Sequence, residues 1–161
     1  MSEDLTERIL RAIDQVVMLY HRLVLVVAPA GAGKTIALQE IAKQRTYPYL
    51  NVNLELSRVL LELTQKHRRL QLSRLLAEII GKAGGTVVLL DNIEILFDVS
   101  LKQDLLRLLQ GLARNRTIVA AWPGSVTEEH LIYAVPDHPE YRRYPRRDLV
   151  LVVDAESKRS G

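Results

Sequence analysis

The sequence contains no cysteine. That excludes a disulfide framework, a thiolate metal site and a cysteine nucleophile, and it fits a cytosolic home. No apolar run approaches the ~18 residues of a membrane span. The opening residues, MSEDLTERIL, are too polar and acidic for a secretory signal. Charge of neither sign dominates: 22 Lys+Arg against 19 Asp+Glu leave a net +3. Bulk charge therefore gives no reason to expect nucleic acid, and only local clustering could. Internal repeats and low-complexity segments are also missing. What is present is ordinary globular usage, 48% hydrophobic and 25% charged, over 161 residues. One domain of this size buries roughly two-thirds of its unfolded surface and needs no metal or disulfide staple.

Four short apolar runs stand out: Leu23–Ala28, Val87–Leu90, Ile118–Ala121 and Leu149–Val153. They are rich in Val, Ile and Leu and do not alternate, the pattern of strands buried on both faces of a parallel sheet. Tyr49–Asn53 is a fifth candidate. Helical spacing fills the intervals. Leu5, Ile9, Ile13 and Val16/Val17 give an N-terminal amphipathic helix within residues 1–21. Thr35 to about Gln44 gives a second, and Leu54 to about Lys66 a third, with Asn53 as N-cap. Leu72, Leu75, Leu76, Ile79 and Ile80 form a fourth stripe, terminated by Gly81, Gly84 and Gly85. Ser100 and Gln103 read as a capping box for the Leu101–Leu112 stripe. Alternating strands and helices imply right-handed crossovers and a three-layer α/β sandwich. Residues 123–147 are the one long irregular segment, and 156–161 read as a frayed tail.

The strongest chemical signal is Ala28-Pro29-Ala30-Gly31-Ala32-Gly33-Lys34-Thr35. It matches the phosphate-loop pattern G-x-x-x-x-G-K-[ST] at every position except the first, where Ala28 stands for Gly. Backbone N–H groups of Pro29–Thr35, apart from the proline, would cradle a β-phosphate. Gly31 and Gly33 permit close approach, Lys34 places a charge on the β- and γ-phosphates, and the Thr35 hydroxyl can ligate Mg²⁺. A second strand ends in a carboxylate, Thr86–Asp91, and resembles the Walker B pattern, in which the aspartate holds Mg²⁺ through water. Where many related ATPases have a glutamate to activate water, this chain has Asn92, which is no proton acceptor. Glu94 is the nearest carboxylate: it is the base, a surface charge, or the partner of a nearby arginine. Asp98 is expected to cap the Ser100 helix.

The strand after Walker B runs into Trp122-Pro123-Gly124-Ser125. Trp122 and Pro123 offer no acceptor for the attacking water, which leaves Ser125 or nothing. Trp122 packs at the sheet edge or, alternatively, contacts nucleotide or a partner. The segment 136–147 holds four arginines, two tyrosines and three prolines. AAA+ ring ATPases carry an arginine finger in this part of the chain. Arg142 and Arg143 are the candidates, with Arg146 and Arg147 as alternates. A nucleic-acid contact patch and a partner-docking loop are the other two readings. His130 and His138 are isolated, and neither is read as a metal ligand.

Taken together, Ala30–Thr35, Leu50–Leu56, Leu89–Leu96, Leu101–Thr117 and His138–Pro145 make the chain resemble the BrxF family, the small P-loop ATPases of BREX bacteriophage-defence systems, over nearly its whole length. The resemblance implies a single P-loop NTPase domain over 1–161. Its mainly parallel five-stranded sheet would have the order 5-1-4-3-2, AAA+-like without a C-terminal helical lid. It further implies a cytoplasmic ATPase using ATP and Mg²⁺, an oligomerising subunit of a defence complex whose partners are itself and other BREX proteins. Asn92 and the missing polar sensor favour slow turnover. A nucleotide-binding module with little hydrolysis, contacting DNA through Arg142–Arg147, is the alternative; a small-molecule kinase is disfavoured for want of a lid and an acceptor insert.

Overall fold

The computed structural model describes residues 4–29, 33–98, 104–133, 142–145 and 151–154. Among these residues five helices and seven strands follow in the order α1 (Leu5–Val16), β1 (Leu23–Ala28), α2 (Lys34–Arg45), β2 (Tyr49–Asn51), α3 (Val52–Leu60), α4 (Gln65–Ala83), β3 (Val87–Asp91), α5 (Leu105–Leu112), β4 (Thr117–Val126), β5 (His130–Tyr133), β6 (Arg142–Pro145) and β7 (Leu151–Asp154), with a 3-10 turn at Glu94–Phe97 before α5. The main sheet runs β2-β3-β4-β1-β7, and each neighbouring pair in it is parallel. Counted along the chain this is the expected 5-1-4-3-2 order, with the phosphate-loop strand β1 between β4 and β7.

The central strands carry the continuous apolar runs Leu23–Ala28, Val87–Leu90 and Ile118–Ala121 because both their faces are covered there. Val24 and Val26 of β1, Leu89 of β3, and Val119 and Ala121 of β4 pack under α1 and α2. Their alternates Leu25, Val27, Val88, Leu90, Ile118 and Ala120 pack under α3, α4 and α5. Period-2 alternation thus divides one run of valines and leucines between two cores.

Local chemistry sets the helix starts, in places one to four residues from where the sequence suggests. Asn51, not Asn53, caps α3 by accepting from the Leu54 amide at 3.0 Å. Asp104 caps α5 through the Arg107 amide at 3.2 Å. The Ser100–Gln103 box, with the helix start Asp98 was expected to cap, falls outside the described residues; Asp98 itself closes the 3-10 turn. Gly81 does not stop α4, which runs on to Ala83 and ends where Gly84 turns to φ 75°.

The largest departure lies in the segment read as irregular. β4 continues past the sheet, and Gly124–Val126 pair antiparallel with β5. β5 in turn pairs antiparallel with β6. A two-strand extension therefore grows from the C-terminal end of β4, adding antiparallel strands to the five-stranded parallel path. Gly124 is required at its base, since a Cβ there would overlap the Ile132 carbonyl oxygen. Trp122 is fully buried and donates its indole N–H to the Ile132 carbonyl at 3.2 Å. The packing role is the one observed, and its burial removes both the nucleotide-contact and the partner-facing alternatives.

Candidate functional site

The site forms at the C-terminal edge of the parallel sheet, where open α/β folds bind ligands. β1 leads into the loop that precedes α2. Residues Ala30, Gly31 and Ala32 lie outside the described residues, but both flanks are described. Gly33 caps α2 with φ 89°, an angle that glycine adopts without steric cost. This turn places Lys34 and Thr35 in the first turn of α2. Ala28, the departure from the motif, is the last residue of β1 and sits in ordinary strand pairing opposite Pro123. An extended residue needs no glycine, which explains why alanine is tolerated there.

Lys34 is buried, 7% exposed. Its ammonium donates to the Ala28 carbonyl and, at 2.9 Å, to the Pro29 carbonyl. These oxygens hold the charge beside the loop. Thr35 donates its hydroxyl to Asp91 Oδ2 at 2.6 Å. Motif residues 56 positions apart in the chain are therefore in contact. A cleft of about 410 Å³ opens over them, lined by Gly33, Lys34, Thr35, Asp91, Asn92 and Glu94 among others. Its donor set is a hydroxyl and carboxylate oxygens, which suits a hard divalent cation such as Mg²⁺. A buried lysine beside them suits phosphate. The residues thus fit an ATP–Mg²⁺ site. Among the described residues no group of three or more His, Asp and Glu could hold a metal, and His130 belongs to β5; His138 lies outside them.

Asn92 has φ 53°, a left-handed conformation that asparagine accepts more readily than glutamate does. Its amide donates to Asp91 Oδ1 at 2.9 Å, and its carbonyl accepts from the Asn53 amide at 3.0 Å. The missing glutamate therefore has a backbone reason. The chain turns sharply after Asp91 and returns Glu94 to the cleft wall at the start of the 3-10 turn. Burial raises the Glu94 pKa above the ordinary glutamate value; its own backbone opposes this, the Asp91 charge adds to it, and Lys34 pulls it back. A carboxyl moved toward neutrality suits proton transfer.

Tyr49 is a site residue the sequence reading missed. Its hydroxyl donates to Asp91 Oδ2 at 2.6 Å. Burial first, then the hydrogen bond to Asp91 and its charge, push the phenol well above its ordinary value, so it remains a donor. The signal was faint: a tyrosine two residues before the end of β2, an edge strand, on the face toward α2.

β4 contributes Ala121 and Pro123 to the cleft and no polar group. Ser125 is exposed, on the part of β4 that pairs with β5, opposite Ile132. It does not line the cleft. Arg142 and Arg143 do not line it either. They sit on β6, opposite Tyr133 and Ile132, with Arg143 exposed. A regular strand, not a loop, carries them; Arg146 and Arg147 fall outside the described residues. Phe97, at the far end of the 3-10 turn, stacks on Tyr133 at 3.6 Å between ring centroids and meets Trp122 edge-on at 5.0 Å. Trp122 in turn meets Tyr144 at 5.7 Å. Four aromatic rings thus join the turn that carries Glu94 to the strands that carry the arginines.

No described helix is long and apolar enough to cross a membrane. No protein-family model and no curated protein matches the sequence. Among solved structures the chain is similar to a DNA replication initiation factor, at 19% identity and a TM-score of 0.42, over 72% of this chain and 36% of that one. It is similar also to C. elegans PCH-2, at 19% identity and a TM-score of 0.43, over 76% of this chain and 37% of that one. The chain spans little more than a third of the length of these two proteins.

Proposed function

We propose that the protein binds ATP with Mg²⁺ and hydrolyses it slowly, as a nucleotide-regulated, oligomerising cytoplasmic subunit of a BREX-type anti-phage complex. The contact of Thr35 Oγ1 with Asp91 Oδ2 at 2.6 Å, beside the buried Lys34, carries the nucleotide part. The defence role rests on the sequence resemblance alone. Pro29–Thr35 would hold the phosphates. Thr35 would hold Mg²⁺ directly and Asp91 through water. Bound there, the ion would supply charge neutralisation on the phosphate oxygens. Lys34 adds a fixed cation to the same oxygens. Glu94 is the group able to take a proton from water at the cleft wall. Arg142 and Arg143 would act on the nucleotide of a neighbouring subunit.

A second reading has its own support. With Ala121 and Pro123 where β4 leaves its pairing with β1, the cleft lacks a polar group from that strand to orient water. This favours a nucleotide-binding module with little hydrolysis, its arginines serving DNA or another BREX protein.

One dilution series separates the two. Phosphate release is measured across protein concentration for wild type and for a double Arg142→Lys, Arg143→Lys variant. An arginine supplied in trans is worth ~10³–10⁵ in rate, and lysine lacks its planar fork. Specific activity should rise with concentration in the wild type and stay low in the variant, with ATP affinity equal in both. Activity flat with concentration and equal in the two proteins would remove the trans role. Loss of salt-sensitive DNA affinity in the variant would favour the second reading.

A further inference from the structure

An ionised carboxylate offers about four lone-pair positions. Three at Asp91 are engaged by the described residues. Oδ2 accepts from Thr35 Oγ1 and from Tyr49 OH, each at 2.6 Å. Oδ1 accepts from the Asn92 amide at 2.9 Å. The donors come from α2, from the edge strand β2 and from the turn after β3, so they fix the carboxylate from three directions. Oδ2 is fully used, and the remaining acceptor position belongs to Oδ1.

No phosphate-binding motif requires a tyrosine on β2. Tyr49 lies opposite Leu89, two residues before Asp91 on β3, and its ring packs with the α1/α2 core. The ring is thus anchored by packing while its hydroxyl ends at the carboxylate. Without that hydroxyl, Oδ2 would lose one of its two donors. Rotation about the terminal bond of an aspartate is soft, so Asp91 could then turn an oxygen directly toward a cation.

We infer that Tyr49 is a positioning residue of the metal–phosphate site: it holds Asp91 so that the aspartate meets the cation through water and not by direct ligation. This rests on the ATP–Mg²⁺ reading above. It carries a consequence for cation choice. Mg²⁺ gives up its water reluctantly, whereas Ca²⁺ accepts direct, irregular carboxylate ligation. A rigid Asp91 that leaves the water in place therefore favours Mg²⁺ over Ca²⁺.

The test is Tyr49→Phe, which keeps the ring and removes only the hydroxyl. Calorimetry would measure ATP binding in Mg²⁺, in Ca²⁺ and in chelator, for wild type and variant. Loss of a partner behind a metal-site residue weakens metal affinity roughly 10- to 100-fold. The variant should show that loss for Mg²⁺, a smaller one for Ca²⁺, and none in chelator. Equal Mg²⁺ terms in both proteins, or an equal fall for all three conditions, would overturn the positioning role and leave Tyr49 as packing. A wild type that binds no ATP in any condition would overturn the nucleotide reading itself, and this inference with it.

Discussion

The β1–α2–β3 half of the cleft and the β4–β5–β6 extension are assembled by different means. In the first, the backbone itself brings the chemistry together. Gly33 turns left-handed, Lys34 and Thr35 begin α2, and Asp91 ends β3 beside them. Phosphate and metal chemistry dictate the residue types, so they recur at a fixed spacing that a reader can find. In the second, nothing dictates a motif. Arg142 and Arg143 are held by strand pairing and by an aromatic stack assembled from Phe97, Trp122, Tyr133 and Tyr144. Those four rings are spread over 48 residues of chain, from 97 to 144. A tertiary cluster of that kind leaves no local pattern.

The sharpest break in the comparison is Glu94, which belongs to both regions: it lines the cleft and starts the turn that ends on the aromatic stack. Glu94→Gln should lower turnover by ~10²–10⁴-fold, as expected for loss of a general base, with ATP affinity kept. Its pKa is raised chiefly by burial, so the wild-type rate should fall, as pH drops, at a value above the ordinary ~4.3 of glutamate. The linkage has a definite sign. A raised folded pKa gives stability that is full below the unfolded value and lost as pH rises through the folded one. At neutral pH the ionised Glu94 therefore weighs on the fold, and the glutamine variant should melt slightly higher while turning over less. Phosphate release and thermal melts across pH measure both.

Lys34→Ala isolates the cleft from the extension. The ammonium contributes a charge-assisted contact, and losing one costs ~1.5–3 kcal/mol, roughly a 10- to 150-fold fall in ATP affinity. Calorimetry with equal affinities would end the phosphate-loop assignment. Gly124→Ala does the reverse. The new Cβ meets the Ile132 carbonyl where β4 and β5 pair, and overpacking of this kind costs ~1–3 kcal/mol. Denaturant melts should show the loss, with ATP affinity close to wild type.

How much was legible follows the same division. The strand runs were readable because burial on both faces leaves Leu23–Ala28 and Val87–Leu90 without polar residues; the sheet order was not readable from spacing, and the order the resemblance implied is the one found. Gly33, Lys34, Thr35 and Asp91 were readable from spacing. Tyr49 was not, because a single tyrosine on an edge strand has no partner in the sequence until β2 and β3 pair. Asn92 looked like a defect in the site and is better understood as the residue that tolerates φ 53°. The β5–β6 strands were hidden by prolines: Pro123, Pro136, Pro139 and Pro145 suggest a loop, yet Pro123 and Pro145 lie within strands. A strand residue whose N–H is not needed by a neighbour can be proline.

The smallest expected effect asks whether the two regions are coupled at all. Tyr133 stacks on Phe97 with planes 7° apart, and the 3-10 turn that Phe97 ends is only four residues long. So short a turn has few hydrogen bonds of its own, and its position depends on what Leu96 and Phe97 are packed against. Tyr133→Leu keeps an apolar side chain and removes the stack, worth ~0.5–1.5 kcal/mol beyond area burial. Stability should fall by about that much. If the stack only glues β5 to the domain, turnover should not move. A short turn anchored at one end by Phe97 and carrying Glu94 at the other argues for more, since an ångström of misplacement at a reacting group can cost up to ~10² in rate. The expected result is a several-fold fall in turnover with ATP affinity unchanged, and with the acid limb of the pH profile retained because Glu94 itself is intact. Turnover equal to wild type at full nucleotide occupancy would show the cleft and the extension to be independent, joined by packing and not by mechanism.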